Sequence, residues 1–497
     1  MKSKIGAILL LPFLLLYSFP AAAEETKTET REWQDENIYF LMVDRFKNGD
    51  TQNDYKVNVK DPTAYNGGDF KGIVQELDYI KDMGFTSIWL SPVFDNDDKG
   101  YHGYWVHDFY KTEEHFGTMK EFKELVKEAH KRDLKVILDF VADHTGTNHP
   151  WVNDPSKKDW FEEQQSNKLP DLNQNNPETR KYLLDAAKWW VKETNIDGYG
   201  LDSVSNVPVD FWADFSKTVK SEKKDFYVLG EVKENDPGKL SDYQKAGIDG
   251  LLDYPQNAFL RKIFAAPDRS LTEGFGSIKR NKENFHHPEL LGTLMDNEDM
   301  PRFTNEIVNN KQNPGTRWKL ALSYLYTVPG IPIVYYGSEI ALNGGSNPDN
   351  RRLMGFKAEK EIIDYLTKLT ELRNKYKVLT RGTMEVLYDK DGMAVYKREY
   401  KKDTFVIAIN NSSKSKTVVL NEQDLHRDKE LRGLLEGDLV RSKDDTYKII
   451  LDREKTEVYA LADKTGLNIP YLLLMGSVYA AFIGFIILLV KRRKKNK

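Results

Sequence analysis

The feature that most constrains this chain is a repeated pattern in which a short apolar run ends in a carboxylate. Asp202, Glu231 and Asp299 stand at the ends of three such runs, which cover residues 196–202, 227–231 and 290–299. Carboxylates at the C-terminal ends of successive parallel strands occupy the place where a (β/α)8 barrel keeps its chemistry. A single acid in this position more often caps the following helix, but three in the same context favour a catalytic site.

Eight segments with strand character alternate with helical segments, which predicts an α/β fold in the form of a (β/α)8 TIM barrel. The predicted strands cover residues 38–43, 86–91, 135–144, 196–202, 227–231, 249–253, 290–299 and 330–339. A helix over residues 359–376 would close the barrel. We therefore assign residues 37–144 and 176–378 to the barrel.

Two further regions differ from the barrel in composition. Residues 145–175 are polar and rich in Asn, Pro and Trp, and they are too long for an ordinary connection between a strand and a helix. We interpret them as a small inserted domain. Residues 379–463 consist of short β-rich runs separated by turns, which predicts a C-terminal antiparallel β-sandwich.

The two ends of the chain carry signals for export and anchoring. Residues 1–23 begin with two lysines, continue with an apolar run and end in three alanines, as a secretory signal peptide does. The polar residues 24–36 would form a flexible leader. Residues 466–490 are apolar and long enough for a transmembrane helix, and the basic residues 491–497 should stay in the cytoplasm. The sequence therefore predicts a body at the cell surface, anchored in the cell membrane by its C-terminus.

The composition of the chain excludes some classes of binding partner. The chain contains no cysteine, which excludes disulfides and thiolate metal sites. The net charge is −4; removing the two positive charges of residues 1–23 and the six of residues 491–497 leaves −12 for the body. An acidic body argues against a nucleic acid as partner. The 12% content of aromatic residues suits stacking on sugars, but it also suits an ordinary large core.

One oxygen-rich stretch near the N-terminus suggests a metal site. It offers five side-chain oxygen donors and one glycine carbonyl, from Asn48, Asp50, Asn53, Asp54, Gly67 and Asp69. Donors of this kind are the ones that Ca²⁺ prefers. A solvated Asn/Asp turn without an ion remains the alternative interpretation.

Several motifs occur in a fixed order along the chain. They are Gly-Tyr-His-Gly-Tyr-Trp at 100–105, Asp-Phe-Val-Ala-Asp-His at 139–144, Leu-Asp at 201–202, Gly-Glu at 230–231, Asp-Asn-Glu-Asp at 296–299 and the last predicted strand at 330–339. With these motifs, residues 33–462 resemble the α-amylases of the large retaining α-glucan hydrolase family. Leu-Pro-Asp-Leu-Asn at 169–173 and the adjacent tryptophans at 189 and 190 resemble a bacterial starch-degrading subgroup.

The resemblance implies endo-hydrolysis of α-1,4-glucosidic bonds in starch-like polysaccharides. It makes Asp202 the nucleophile, Glu231 the acid/base and Asp299 the residue that stabilises the transition state. His144 would hydrogen-bond the reacting sugar and Tyr104 would stack on it. The full set of substrate-binding positions that the resemblance implies is His102, Tyr104, Asp139, His144, Glu298 and Arg351. The inserted region corresponds to the family's domain B, and the sandwich to its domain C.

The resemblance also extends to calcium. The oxygen-rich stretch matches an N-terminal calcium site found in some members of the family. Asp143, Asn173 and Asn206 occupy positions that bind calcium between domains A and B in other members. Ca²⁺ is therefore the cofactor that the sequence predicts.

Three positions depart from the family's pattern. Gly200 replaces an arginine two residues before the nucleophile, Glu298 replaces a histidine, and Asn347 replaces an aspartate. The first two changes make the site more negative, and like charges raise the pKa values of carboxyl groups. We expect such a site to keep a proton on one carboxyl or to recruit another cation. Restoring Gly200→Arg together with Glu298→His should lower the acid limb of the pH profile, provided that the backbone leaves room.

Three functions fit these observations. The first is a membrane-tethered extracellular endo-α-1,4-glucanase. The second is a glucan-binding pseudoenzyme that has lost the chemistry, for which Gly200 and Glu298 are the reasons. The third is a sibling enzyme such as a cyclodextrin hydrolase, an α-glucosidase or a transglycosylase, favoured by the short domain B and the N-terminal calcium motif. Release of reducing sugar separates the first from the second, and the product pattern separates the first from the third.

Overall fold

Eight parallel strands form a closed barrel, as the sequence predicts. The computed structural model describes residues 29–163, 169–234, 236–425, 427–464 and 469–495. The first ten strands are β1 (Ile38–Leu41), β2 (Ser87–Leu90), β3 (Phe94–Asn96), β4 (Val106–Thr112), β5 (Lys135–Phe140), β6 (Gly198–Leu201), β7 (Tyr227–Gly230), β8 (Gly250–Leu251), β9 (Gly292–Leu294) and β10 (Ile331–Tyr335). The barrel order is β8-β7-β6-β5-β2-β1-β10-β9. A parallel bridge between Leu252 and Gly292 joins the two ends of this sheet.

The barrel strands are covered on both faces. Every residue of β1, β2, β6, β7, β9 and β10 is buried. A parallel sheet with both faces covered needs continuous apolar runs rather than alternation. This is why the barrel strands appear in the sequence as short, uninterrupted apolar segments.

Helices follow most of the barrel strands and pack on the outside of the barrel. Their bounds are Val43–Phe46, Phe70–Asp82, Met119–Lys131, Pro177–Thr194, Val209–Glu222, Pro237–Lys245, Tyr254–Phe264, Thr272–Asn284, Phe303–Asn309, Pro314–Thr327, Glu361–Lys375 and Lys377–Arg381. Helix Met119–Lys131 begins with a capping box, in which the Glu121 backbone N–H donates to the Thr118 hydroxyl and the Thr118 N–H donates to the Glu121 carboxylate. Such caps satisfy backbone groups that the first turn of a helix leaves without partners.

The segment between β5 and helix Pro177–Thr194 folds over the C-terminal end of the barrel. It contains the 3-10 turns Pro150–Asn153 and Pro155–Trp160, and antiparallel bridges join His144 to Asp171 and Phe161 to Leu172. Trp151 packs against Tyr182 of the following helix, with ring centroids 4.7 Å apart. The residues assigned to the inserted domain are thus held close to the strand end that carries His144.

The C-terminal region forms the antiparallel sheets that the sequence predicts. Its strands are β11 (Thr383–Lys390), β12 (Met393–Tyr400), β13 (Asp403–Asn410), β14 (Lys416–Asn421), β15 (Lys429–Gly433), β16 (Leu439–Arg441), β17 (Thr446–Leu451) and β18 (Lys455–Asp463). Six of them pair in the order β11-β12-β13-β18-β15-β16, and β14 pairs with β17. Val395 and Val406 of the larger sheet share a buried cluster with Val418 and Ile449 of the smaller one.

The leader prediction is wrong for its last residues. Trp33–Asp35 form a 3-10 turn, and Trp33 stacks on Tyr227 at the start of β7, with centroids 4.6 Å apart. Asp35 is buried and pairs with Lys377 at 2.8 Å. The stacking and the buried ion pair hold this segment against the barrel. The predicted signal peptide, residues 1–23, lies outside the described residues.

The chain ends in the apolar helix Ile469–Lys495. Within the described residues, the stretch Leu473–Lys494 is the only helical segment long and apolar enough to cross a membrane. Its large apolar side chains, among them Leu473 and Leu488, are exposed. By length and composition the helix matches the predicted transmembrane segment.

The middle of β6 has no side chain at residue 200 because the indole ring of Trp89 fills that space. A Cβ atom placed on Gly200 would lie 2.5 Å from Nε1 of Trp89. Trp89 is 4% exposed and stacks on Phe40 of β1, with centroids 4.2 Å apart. The ring therefore cannot move aside freely. The condition set for restoring Gly200→Arg is therefore not met, because the buried Trp89 ring occupies the space that a side chain at residue 200 would need.

This packing predicts opposite effects of two glycine substitutions. Gly200→Ala should destabilise the protein by about 1–3 kcal/mol because the added methyl overpacks a buried ring. Gly276→Ala is the control: it lies in helix Thr272–Asn284, and its Cβ would meet only Arg280 Nη1, at 3.4 Å. That change should stabilise the helix by about 0.5–1 kcal/mol. Urea unfolding followed by circular dichroism measures both. A Gly200→Ala protein as stable as the parent would contradict the packing account.

Candidate active site

The barrel strands place the predicted catalytic acids at one rim. Asp202 follows β6 directly, and its backbone N–H donates to the Phe140 carbonyl at 3.3 Å. Glu231 follows β7 in the same way, and its N–H donates to the Leu201 carbonyl at 2.9 Å. Each acid therefore makes the last hydrogen bond of its strand. Its side chain emerges where the sheet ends.

A cleft of about 470 Å³ lies over this rim. Its lining includes the predicted residues His102, Tyr104, His144, Asp202, Asp299 and Arg351, together with Lys233 and Asn347. A larger cavity of about 520 Å³ lies between helix Thr272–Asn284 and β11, and none of the predicted site residues lines it. We place the active site in the smaller cleft because the chemically competent groups converge there.

Carboxyl groups crowd this cleft. Glu231, Glu298 and Asp299 each offer an oxygen within 4.8 Å of the others. Asp143, His144 and Asp202 form a second group with the same spacing. Several negative charges at such distances in a buried site raise one another's pKa values, so protons or cations must balance them.

The predicted nucleophile and acid/base both have raised pKa values. Burial and the negative charge of Asp202 raise the pKa of Glu231 to about 7. Burial and the charges of Asp143 and Asp139 raise the pKa of Asp202 well above its usual range, whereas His144 lowers it. Because His144 favours the ionised form of Asp202, we assign the proton near neutral pH to Glu231.

Two residues that the sequence analysis missed hold Glu231 in place. The Tyr254 hydroxyl donates to Glu231 Oε1. The Asn297 side-chain amide donates to the Tyr254 oxygen at 2.6 Å. Tyr254 begins the helix that follows β8, and Asn297 lies between two acids after β9. No local pattern marks either residue, since their contacts join two different strand ends.

Glu298 meets two other predicted site residues. The Tyr104 hydroxyl oxygen lies 2.9 Å from Asp139 Oδ2 and 3.0 Å from Glu298 Oε1. A phenol has one proton to donate, so both contacts are hydrogen bonds only when one carboxyl is protonated. Burial and the charge of Asp299 raise the pKa of Glu298 to about 8. A neutral Glu298 therefore occupies the position where the family has a histidine. This agrees with the expectation that the site keeps a proton on one carboxyl.

Two cations face Asp299. Lys233 Nζ forms an ion pair with Asp299 Oδ2 and lies 3.5 Å from Glu231 Oε1. Arg351 Nη2 lies 3.3 Å from Asp299 Oδ1, and its Nε donates to the Glu298 carbonyl at 3.0 Å. Arg351 is a predicted site residue. Lys233 is not, although it lies only two residues after Glu231 in the sequence.

The two predicted histidines differ in charge. His144 Nδ1 lies 2.7 Å from Asp143 Oδ1 and its Nε2 lies 2.9 Å from the Tyr104 carbonyl. Both partners are acceptors, so both ring nitrogens carry protons. Burial opposes this charge, but Asp143 raises the pKa of His144 to about 9. A sugar hydroxyl would have to replace the Tyr104 carbonyl in order to bind His144, as predicted.

His102 is neutral by contrast. Burial and the nearby Arg351 cation lower its pKa well below the usual range. Its Nδ1 accepts from the Tyr104 backbone N–H at 3.1 Å, which leaves the proton on Nε2. His102 can therefore donate one hydrogen bond into the cleft that it lines.

The structure assembles only part of the N-terminal oxygen-rich set. Asn48 Nδ2 lies 2.9 Å from Asp54 Oδ1, and a Cβ on Gly67 would lie within 3 Å of both side chains. Asn53 Oδ1 is buried, and no described residue forms a hydrogen bond with it. Asp69, however, accepts from the backbone N–H groups of residues 49, 50 and 72. Asp50 pairs with Lys71.

The second predicted calcium set is assembled less completely. The Asn206 amide donates to Asp143 Oδ2 at 3.1 Å, and Asp143 Oδ1 bonds His144. Asn173 Oδ1 instead accepts from the Asn175 backbone N–H at 3.0 Å. The side chain of Asn173 thus stabilises its own turn, and the structure does not support its prediction as a partner of Asp143.

Comparison with known proteins shows the family to which the chain belongs. The α-amylase catalytic-domain model matches residues 40–165, and the α-amylase C-terminal-domain model matches residues 382–459. A cyclomaltodextrinase of Thermoanaerobacter pseudethanolicus is 31% identical over 454 residues, which cover 84% of this chain and 78% of that enzyme. A β/α-amylase of Paenibacillus polymyxa is 33% identical over 460 residues; the match covers 86% of this chain but only 38% of the relative.

Two solved structures are closer still. The α-amylase of Anoxybacillus superposes with a TM-score of 0.87 at 58% identity, over 88% of this chain and 100% of that one. The α-amylase of Geobacillus thermoleovorans, solved with acarbose, gives a TM-score of 0.85 at 54% identity, with the same coverage. This chain belongs to the α-amylase family of glycoside hydrolases.

Proposed function

We propose that this protein is a membrane-anchored extracellular α-amylase that cleaves internal α-1,4-glucosidic bonds in starch-like polysaccharides with retention. The observation that carries the proposal is the pairing of Asp202 with Glu231 at adjacent strand ends, where burial and the charge of Asp202 raise the pKa of Glu231 to about 7. An acid with that pKa can hold a proton and release it near neutral pH. The α-amylase of Geobacillus thermoleovorans was solved with acarbose, which supports an α-glucan substrate for this chain.

The mechanism uses two displacements. In the first, Glu231 protonates the glycosidic oxygen while Asp202 attacks the anomeric carbon, so the C–O bond breaks and a glycosyl-enzyme ester forms. In the second, ionised Glu231 takes a proton from water, and the water oxygen displaces Asp202. Tyr254 holds the Glu231 carboxyl in position throughout. Asp299, between Lys233 and Arg351, faces the charge that develops on the sugar.

The departures from the family's pattern do not favour a glucan-binding protein without chemistry. Trp89 fills the space beside Gly200, Lys233 brings a cation to Glu231 and Asp299, and Glu298 shares a proton at Tyr104. The departures at Gly200 and Glu298 are matched by these contacts, and both acids that the double displacement needs are present. These contacts support a catalytically active site.

A cyclomaltodextrinase-like activity is the second candidate. The Thermoanaerobacter cyclomaltodextrinase matches most of this chain, and the segment between β5 and helix Pro177–Thr194 is short. A short domain B leaves the cleft open to compact as well as extended glucans. Mixed oligosaccharides released early from soluble starch support the endo-acting α-amylase, whereas a preference for cyclodextrins over starch supports this sibling.

Mutation of the two acids tests the catalytic assignment. Glu231→Gln and Asp202→Asn should each reduce reducing-sugar release from soluble starch by about 10²–10⁴-fold, because water replaces neither role well. Glu289→Gln is the matched control and should retain activity, because Glu289 lines the separate cavity between helix Thr272–Asn284 and β11. Circular dichroism spectra should agree for all the variants. Near-parental turnover by either acid variant would refute the assignment.

The C-terminal helix supports the anchoring part of the proposal. It is apolar over residues 473–490 and ends in basic residues, which by the positive-inside rule stay in the cytoplasm. Deleting residues 465–497 should move the protein from the membrane fraction to the soluble fraction of an expressing culture and leave starch hydrolysis unchanged. A full-length protein already soluble without detergent, with its C-terminus intact by mass spectrometry, would contradict the anchor.

Calcium would stabilise the fold rather than take part in the chemistry. Asn48, Asn53, Asp54 and the Gly67 carbonyl include oxygen donors of the type that Ca²⁺ prefers, and the buried Asn53 Oδ1 has no partner within the described part of the chain. These residues would hold the ion in the loop between β1 and helix Phe70–Asp82. The donors therefore fit a hard cation, although Asp50 and Asp69 are engaged elsewhere.

Calcium removal tests this site. A ligand at a hundredfold excess over its Kd stabilises the native state by about 2.7 kcal/mol, so EGTA should lower the melting temperature and added calcium should restore it. Asp54→Asn should abolish most of this response. Asp61→Asn is the control, since Asp61 only caps a turn at Thr63 in the same loop. Equal calcium responses in the two variants would move the site elsewhere.

A further inference from the structure

One cation in the cleft has no counterpart among the predicted site residues. Lys233 lies two residues beyond Glu231 in the loop after β7. Its Nζ forms an ion pair with Asp299 and lies 3.5 Å from Glu231 Oε1. It therefore touches two of the three predicted catalytic acids at once, from the strand next to the one that carries the nucleophile.

The position two residues before the nucleophile offers no charge in this chain. Gly200 has no side chain, and Trp89 occupies the space that one would need. Trp89 Nε1 is buried and has no hydrogen-bond partner among the residues that the structure describes, and the indole that fills the space carries no charge. The charge of the cleft must be balanced from another strand.

We propose that Lys233 is a positioning residue that supplies, from the end of β7, the positive charge absent from residue 200 of β6. It orients Glu231 and Asp299 toward each other across the cleft and sets how readily Glu231 releases its proton. This inference rests on the proposed function, because it assumes that Glu231 is the acid/base. In this role Lys233 does not contact the substrate.

The groups around Glu231 allow the sign of the effect to be worked out. Burial and the charges of Asp202 and Asp299 raise the pKa of Glu231, while Lys233 and the Tyr254 hydroxyl lower it. Glu298 lies in the loop after β9, and the charge of Glu231 raises its pKa. Without Lys233, Glu231 should keep its proton to higher pH. Since the first step needs protonated Glu231, the basic limb of the kcat/KM profile should then move upward.

Exposure limits the size of this shift. The Lys233 side chain is 59% exposed, so solvent and salt screen it in part. An opposite charge within about 4–6 Å lowers the pKa of a carboxyl by about 1–3 units, and screening places the expected effect at the low end. We expect the basic limb of Lys233→Met to lie about 0.5–1 pH unit above that of the parent.

The test compares pH profiles of kcat/KM on a chromogenic maltoheptaoside. The parent should lose activity as the pH rises through about 7, and Lys233→Met should lose it at higher pH. Lys233→Arg keeps the charge and should restore the parental limb. Lys239→Met is the matched control, because Lys239 pairs with the exposed Glu234 at 3.1 Å and its removal should leave the limb in place.

A second measurement needs no variant. Raising the ionic strength from about 0.02 M to about 0.5 M shortens the Debye length several-fold. Because the Lys233 side chain is 59% exposed and that of Asp299 only 33%, salt should screen Lys233 more strongly, and the basic limb of the parent should move upward, toward that of Lys233→Met. The limb of Lys233→Met should move less. This measurement decides the matter if Lys233→Met does not fold.

Different results would contradict the role of Lys233 and the proposed function. A limb that stays in place in Lys233→Met, at any level of activity, overturns the proposal and leaves Lys233 a structural or substrate-binding residue. So does an equal shift in Lys233→Arg, or a salt-independent limb in the parent. If Glu231→Gln hydrolyses starch as the parent does, the proposed function fails. If Glu231→Gln is inactive and the limb does not move, only this inference fails.

Discussion

Electrostatic repulsion among carboxyl groups crowded at one rim of the barrel is the constraint on which this active site depends. The ends of the barrel strands bring Asp139, Asp202, Glu231, Glu298 and Asp299 into one cleft. Two unit charges about 4 Å apart interact by about 4 kcal/mol at an effective dielectric constant of 20. Retaining hydrolysis needs two of these acids in different protonation states, so the remaining charge must be neutralised without disturbing that pair.

The structure neutralises it in three ways. His144 is held as a cation by two acceptors beside Asp202. Lys233 and Arg351 flank Asp299. Tyr104 joins Asp139 to Glu298 through contacts that need one shared proton. These devices lie on different strand ends, and each removes charge from one side of the cleft. The fold therefore assigns the neutralisation of charge to residues other than Asp202 and Glu231, which must stay in different protonation states during the reaction.

The positions of the acids could be predicted because the information is local. An apolar run that stops at Asp202 or Glu231 marks both a buried strand and its rim, and eight such runs specify the barrel. The same argument identified the rim position of Asp299. The calcium-like cluster was only partly predictable, since proximity in sequence does not show that Asp69 is already bonded to the backbone N–H groups of residues 49, 50 and 72.

The rest depends on contacts between distant segments. Tyr254 reaches Glu231 from the next strand of the barrel, and Trp89 blocks residue 200 from two strands away. Neither relation leaves a periodic pattern in the sequence. The leader was mispredicted for a related reason, because its polar composition gave no sign that Trp33 stacks on Tyr227. Local chemistry predicts which groups the rim contains, whereas charge balance and available space are set by the fold.

The central claim is that Asp202 forms a covalent bond to the sugar while Glu231 handles the proton. It is tested most directly by trapping that intermediate. An α-maltosyl fluoride with a second fluorine on its reducing-end ring slows hydrolysis of a glycosyl-enzyme, and mass spectrometry of the digested protein locates the attached sugar. The account predicts one maltosyl group per chain, on the peptide that contains Asp202. A label on the peptides of Glu231 or Asp299, or fluoride release with inverted product and no label, would contradict it.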